Sequence, residues 1–283
     1  MNNGGSLSKA DWRRESINVF IQRIYKGIKK IKPNVKFGLS PFGIWRPQHP
    51  ESIEGFDQYD KLYADAKLWI NEGWVDYWTP QLYWKISTIP QSFPVLLGWW
   101  KNENLKGRHF WPGINIDRDN NELNTMEVIN QIMIIRGMLP DSPGNLCWSV
   151  APILNYKELS DAIVNGPYKK QALIPKTPWF NNSTLASPEI TTGKESDKIK
   201  ISWTHENKNK VFRWVVYFKY GNRWNYVILN SDTFSYEVPV TSEYKFINDN
   251  DKEVITKYAL NEVAVSAVDR ISNESLPTIQ KIK

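Results

Sequence analysis

A single cysteine, Cys147, stands in a chain of 283 residues. That excludes an internal disulfide and any thiolate zinc cluster. The three histidines, His49, His109 and His205, lie far apart with no HExxH-type pair, so no histidine metal site is expected. No glycine-rich phosphate loop follows any strand-like segment, and no cofactor is implied. No apolar run approaches the roughly 20 residues that cross a bilayer. The amino-terminal MNNGGSLSKADWRRE lacks the apolar stretch of a signal peptide and reads as a chain opened at a flexible point. Hydrophobic residues at 41% and charged residues at 23% exclude a disordered or collagen-like protein.

The net charge of +6 falls almost wholly before Ala186, much of it in Lys26, Lys29, Lys30, Lys32 and Lys36. A solvated helix face is the ordinary reading of such a cluster, and a footprint for an acidic polymer is the other. No nucleic-acid motif accompanies it, and nucleic acid is not expected as a partner.

Periodicity then orders the chain. Ile17, Phe20, Ile21, Ile24, Ile28 and Ile31 recur at spacings of three and four and predict a first helix, capped by Ser8 with Asp11 and stopped at Lys32-Pro33-Asn34. An extended run follows from Val35 to Leu39. Tyr59, Leu62, Tyr63, Ala66, Trp69 and Ile70 predict a second helix. Val75 to Trp84 predicts a strand buried on both faces, with Pro80 at a bulge or the strand end. A third helix begins at Pro90 and runs through Trp100. His109 to Ile116 is the third strand, and Asn124 with Glu127 caps a fourth helix. Leu146 to Val150 is the fourth strand, and Tyr156 to Val164 the last helix.

Four strands alternating with five helices predict parallel βαβ units. Polar and aromatic residues cluster after each strand, as in a (β/α)8 TIM-type barrel. A whole barrel takes about 250 residues and only about 165 are available, so the α/β part is expected to be an incomplete barrel of about four βα units. A small doubly wound sheet is the alternative. Pro175, Pro178, Asn181, Asn182, Ser183, Ser187 and Pro188 mark a linker. Beyond it the period changes to two, at Ile199–Trp203, Val211–Tyr220, Tyr236–Val238 and Asn261–Ala267, which predicts an all-β sandwich. The expected division is 1–180 barrel, 181–190 linker, 191–283 sandwich.

Four blocks in order carry a resemblance: Asp11-Trp12-Arg13-Arg14-Glu15, Phe37-Gly38-Leu39-Ser40-Pro41-Phe42-Gly43-Ile44-Trp45-Arg46, Tyr63-Ala64-Asp65, and Asp76 through Trp84. Residues 9–180 resemble the second half of the bacterial glycosyl-hydrolase-like family 10. The resemblance implies a glycosidase-type barrel on an envelope-associated or secreted protein. It further implies cleavage of polysaccharide, with peptidoglycan glycan strands as a substrate. By the family's register the four strands are its fifth through eighth, and the family's acidic cluster, on its fourth strand, has no counterpart here. Since glycoside hydrolysis uses two carboxyl groups, this chain alone is expected to be inactive. The tail resembles a fibronectin type III domain at Trp203, Val265–Arg270 and Asn273–Ser275, with Asn261 where that family has its corner tyrosine.

A sugar is held by stacking on an aromatic ring and by hydrogen bonds from planar side chains to its hydroxyls. The residues after the strands offer both: Ser40, Trp45 and Arg46; Gln81, Tyr83 and Trp84; Asn115, Asp117 and Arg118; Trp148 and Ser149. Trp69 and Trp100 read as core. Asp117 is the catalytic candidate, because barrel glycosidases of this kind place a nucleophile after strand seven; a plain polar loop at 117–119 is the alternative. Asp76 opens its strand and belongs at the stability face. Ser149 has no base nearby in sequence, and Cys147 reads as a small buried hydrophobe.

Two functions remain open. The first is the carboxyl-terminal part of a glycoside hydrolase acting on a polysaccharide. The second is a non-catalytic carbohydrate-binding or scaffold protein. Half a barrel also leaves two open strand edges, so self-association or poor solubility is expected.

Overall fold

The computed structural model describes residues 5–117, 125–141, 144–180, 185–247 and 252–282. The chain is a mixed α/β fold in two compact units, Met1–Lys170 and Gln171–Lys283.

Helix α1 (Lys9–Ile31) begins where Ser8 Oγ accepts the Asp11 amide at 3.1 Å. Its close is at Lys32, whose N–H reaches the Ile28 carbonyl. The helix does not bury the whole apolar stripe that the spacing marks. Ile21 enters the core and Ile17 packs against it, whereas Phe20 and Ile31 are exposed. The buried face instead includes Arg14 and Asn18. Both are satisfied there: Asn18 Oδ1 accepts the Trp69 indole N–H at 2.7 Å, and Arg14 meets Asp11 and the Tyr59 carbonyl.

The elements that follow are β1 (Gly38–Leu39), α2 (Gln58–Lys61), α3 (Ala66–Asn71), β2 (Tyr77–Trp78), α4 (Phe93–Glu103), β3 (His109–Phe110), β4 (Gly113–Asn115), α5 (Thr125–Met138), β5 (Leu146–Trp148), α6 (Ala151–Asn155) and α7 (Lys157–Asn165). The one helix expected over 59–70 is two short ones. Tyr63 sits between them at φ 53°, left-handed backbone that an α-helix cannot contain, and Asp65 caps α3 by accepting the Leu68 amide. The fourth helix was expected to start at an Asn124 cap, but Asn124 lies outside the described residues.

The strands are parallel and short. Leu39 pairs with Trp78 and Trp78 with Phe110, and Asn115 pairs with Trp148. Bridges from Phe42 to Gln81 and from Gln81 to Gly113 join the pieces. The result is four strand rows side by side in chain order, and the sheet stays open among the described residues. Pro80 follows β2, where its carbonyl still accepts the Gly113 amide at 2.9 Å, so its missing N–H breaks no ladder bond.

Alternation gives this sheet two faces. Leu39, Trp78, Phe110, Ile114 and Ile116 join the helices' Ile70, Leu97, Trp100, Ile132 and Ile135 in one core. The opposite face carries Tyr77, His109, Trp111, Leu146 and Trp148. Tyr77 lies over Gly38, and Trp111 stacks on both Tyr77 (5.4 Å) and His109 (4.8 Å). Leu146 and Trp148 are exposed, the latter at 60%.

At the amino ends of the strands, Asp76 is completely buried. It pairs with Lys29, accepts Tyr25 Oη at 3.2 Å and accepts the Phe37 amide at 2.8 Å. Burial and the Asp76 charge push the Tyr25 phenol up to about 12. Burial, reinforced by Lys36 and Arg108 against the pull of Asp76, pushes His109 down from 6.5 to about 4. The folded protein therefore binds fewer protons than the unfolded chain between these values, so stability present above pH 6.5 is lost as pH falls toward 4. His109→Gln should flatten this part of the stability profile. Urea midpoints of the two proteins across this range will show it; parallel profiles would contradict it.

The second unit is antiparallel. Its strands are β6 (Glu189–Glu195), β7 (Lys198–Thr204), β8 (Arg213–Tyr220), β9 (Arg223–Asn230), β10 (Ser235–Pro239), β11 (Thr241–Ile247), β12 (Glu253–Val268) and β13 (Thr278–Lys281). They form a three-stranded sheet, β10-β7-β6, and a five-stranded sheet in which β12 pairs β11, β8 and β13 while β8 pairs β9. Ile199, Ile201, Trp203 and Val238 of the first share a core with Trp214, Val216, Val263, Val265 and Ala267 of the second. Asn261 sits at an irregularity of β12, where its amide donates to the Gly221 carbonyl. A tyrosine tie exists elsewhere, from Tyr220 Oη to the Pro239 carbonyl at 2.6 Å. Residues 181–184 of the expected linker lie outside the described residues. No described helix is long and apolar enough to cross a membrane.

Candidate functional site

The carboxyl ends of the four strand rows bring together part of the expected set. Gln81 Nε2 donates to the Ser40 carbonyl at 3.1 Å, linking the first two rows. Tyr83 lies against Gly113 on the third row, where an added Cβ would come within 3.2 Å of its ring. Burial pushes the Tyr83 phenol up, so it stays a proton-bearing donor. Trp84 meets Phe42 edge-on at 5.5 Å.

The third and fourth rows form the tighter group. Asp117 N donates to Asn115 Oδ1 at 2.9 Å and to the Trp148 carbonyl at 3.1 Å. Ser149 Oγ donates to Asp117 Oδ2 at 3.3 Å. Asp117 itself is exposed, and beside it the exposed Trp148 ring offers an apolar face. One carboxylate, an amide, a hydroxyl and an indole thus stand together at one strand end. Arg118 lies outside the described residues. Cys147, between these residues in sequence, points to the helix side, and burial raises its thiol.

Trp45 and Arg46 meet a different set. Trp45 stacks on Trp99 at 6.0 Å, packs edge-on against Tyr59, and donates its indole N–H to Asp65 at 3.2 Å. Arg46 pairs with Asp57 at 3.2 Å and lies over Tyr59. Arg13 donates to Tyr63 Oη at 2.6 Å, and Arg14 covers the other aromatic neighbour, Tyr59, at 3.6 Å. Blocks of sequence about fifty residues apart thus converge to fasten the start of α1 to the segment after β1.

One feature was missed. Glu127, expected to cap a helix with Asn124, which lies outside the described residues, accepts the Ile86 amide at 2.7 Å and Gln131 Nε2 at 2.8 Å. The same Gln131 nitrogen donates to the Trp84 carbonyl at 3.0 Å. The pair, four residues apart on α5, clamps the segment that carries Tyr83 and Trp84. In sequence they are simply two of several polar residues in the helix, beside Asn130 and Arg136.

Residues 3–125 match the family described as Glycosyl hydrolase-like 10, so a glycosyl-hydrolase-like domain covers part of the chain. Glycosyl hydrolase YngK of Bacillus subtilis (strain 168) is 31% identical over 283 residues, an alignment covering 94% of this chain and 53% of that protein. Glycosyl hydrolase DigH of Escherichia coli (strain K12) is 41% identical over 101 residues, 34% of this chain and 23% of that protein. The chain therefore spans about half the length of the first relative and less of the second. Among solved structures, the Clostridium perfringens spore cortex lytic enzyme SleM aligns at a TM-score of 0.29 and 8% identity, covering 73% of this chain and 79% of its own. A fibronectin domain of human collagen XX aligns at 0.24 and 15%, covering 39% and 100%. At such scores neither superposition bears on the fold, and the relationship to glycosyl hydrolases stands on sequence.

Proposed function

We propose that this chain contributes the carboxyl-terminal half of a glycoside hydrolase-type (β/α) barrel, binding a polysaccharide at its strand ends. The observation that carries the reading is the grouping of Asp117, Asn115, Ser149 and the exposed Trp148 at one mouth. Gln81, Tyr83 and Ser40 extend the polar lining. Asp117 acts as nucleophile or as water-activating base, and the proton donor comes from outside this chain, so the 283 residues alone bind without hydrolysing. Peptidoglycan glycan strands, on an envelope-associated or secreted enzyme, are the substrate this reading favours. The Glycosyl hydrolase-like 10 match and the sequence similarity to YngK and DigH support a glycosyl-hydrolase-type function. The second unit serves as a fibronectin III-type spacer.

Retention on purified sacculi and on other insoluble polysaccharides tests the binding. A stacked indole contributes about 1 kcal/mol, so Trp148→Ala should weaken retention roughly fivefold, while Asp117→Asn should leave it nearly unchanged. Hydrolysis by a version extended upstream, abolished by Asp117→Asn, would distinguish the enzyme from a carbohydrate-binding scaffold. Equal retention of the wild type and Trp148→Ala would remove Trp148 from the site.

A further inference from the structure

We propose that the second unit, besides spacing, binds a carboxylate-bearing sugar in a cleft beside the β6–β7 turn. The cleft measures about 530 Å³, within the roughly 300–1,000 Å³ of small-ligand sites. Every residue lining it belongs to this unit, so the site owes nothing to the strand ends of the first.

Its shape follows from the way β12 outruns its neighbour. β12 leaves β8 at Leu260, and its opening stretch, Glu253–Ala259, pairs with β11. The two-stranded arm so formed gives the cleft one wall, at Thr241 and the facing Ala259. Where the arm joins the sheet, the register slips between Leu260 and Glu262, with Asn261 at the slip. Such irregularities re-aim side chains. Asn261 lines the cleft, its amide donating to the Gly221 carbonyl at 3.1 Å and its backbone carbonyl accepting the Ile282 amide at 2.8 Å. Ile199 and Leu260, each 5% exposed, form the floor with Val240 and Ile282.

The rim is cationic. Lys194 stands opposite Ile199 in the β6–β7 ladder, so the two side chains share the face turned toward the other sheet. Among the described residues no carboxylate pairs with Lys194 there, and none pairs with Lys281, which reaches the same cleft from β13. Glu262 is the one acid in the lining, opposite Lys281 in register, and its carboxylate is held by Lys219 at 2.9 Å. Gln280 Nε2 donates to Thr192 Oγ1 at 2.7 Å, which ties β13 to β6 just before the two lysines and brings both to one end. An aliphatic floor, two ammonium groups without a counter-charge, the Thr241 hydroxyl and the Asn261 side-chain oxygen suit a ligand with an apolar ring face, a carboxylate and hydroxyls. A sugar acid has all three. The saccharide half of this assignment rests on the glycan reading above, and the carboxylate half on the lysines.

Titration of the isotope-labelled full chain with D-glucuronate, followed by NMR, tests the site. The amides of Leu260, Asn261 and Ile282 should shift and saturate. D-glucose and acetate should each bind about tenfold more weakly, the first for want of the carboxylate and the second for want of the ring. Lys194→Gln and Lys281→Gln, both at exposed positions that leave the core untouched, should each weaken glucuronate binding about threefold to fivefold, the effect of one exposed ion pair. Ala259→Trp, at an exposed position on the arm, fills the cleft and should abolish the shifts. Glucuronate that fails to saturate these amides overturns the site. So does acetate or glucose that binds as tightly as glucuronate, or lysine variants that bind like the wild type. The shifts report this cleft amide by amide and retention on sacculi reports the strand ends, so either reading can fail without the other.

Discussion

Asp76→Ala is expected to lower the stability of the first unit by about 3–5 kcal/mol, the usual result of removing one partner from a buried ion pair. The carboxylate has no exposed surface and holds three groups from three segments: the Lys29 ammonium, the Tyr25 hydroxyl and the Phe37 amide. Alanine leaves the amide at the start of the first strand row without this acceptor, in a place water does not reach. Lys29 moderates the loss. Its side chain is 20% exposed and also donates to the Val35 carbonyl at 2.6 Å, so it can keep one partner and turn outward. The effect should therefore fall in the lower part of the range. Asp76→Asn, which retains an acceptor for Phe37, should lie between alanine and the wild type. Urea unfolding followed by tryptophan fluorescence gives both values. A second signature is spectroscopic: with the carboxylate gone, the Tyr25 phenol should titrate below its present value of about 12, since Asp76 is the second cause of its rise after burial. An alanine variant as stable as the wild type would mean that the end of α1 is held by something other than this carboxylate.

What could be read from the sequence depended on how local the cause was. The four strand rows of the first unit were legible because each is an apolar run between turn signals, and the Ser8 cap because its partner is three residues away. The break at Tyr63 was not. Its apolar positions keep helical spacing, and the contact its side chain makes in the fold is with Arg13, fifty residues upstream. The surroundings of Trp45 were no more legible, because its neighbours Trp99, Tyr59 and Asp65 come from three other elements. In the second unit, β7 and β8 announced themselves by alternation over a shared core. β6 and β11 did not, since their mostly polar and charged sequences send few hydrophobic residues, such as Ile190 and Tyr244, to the shared core. At the candidate site, Asp117 and Trp148 could be named from their places after strands, but the bond between Ser149 and Asp117 joins residues thirty-two apart and needed the fold.

Gly43→Ala should destabilise the first unit by about 1–3 kcal/mol, toward the upper end, because overpacking here meets backbone rather than a mobile side chain. An added Cβ would stand 2.4 Å from the Gln81 carbonyl oxygen and 2.7 Å from the Trp84 ring. The carbonyl cannot swing aside, since Gln81 is bridged to Phe42 on one side and to Gly113 on the other. Nor can Gly43 retreat freely: its own carbonyl accepts the buried Trp100 indole N–H at 2.7 Å. Relief must come from moving the ends of the first two strand rows apart, which displaces Gln81 and Trp84 together. Loss of stability should therefore come with weaker retention on glycan. Gly27→Ala is the comparison. Gly27 lies inside α1 with nothing within 4 Å of an added Cβ, so there the same substitution should stabilise by about 0.5–1 kcal/mol through helix propensity alone. Denaturation midpoints that shift in opposite directions would show that the close approach at Gly43 sets the spacing of the strand ends. A neutral Gly43→Ala would show that the first strand row can yield there, and that Trp84 is positioned from the α5 side by Glu127 and Gln131.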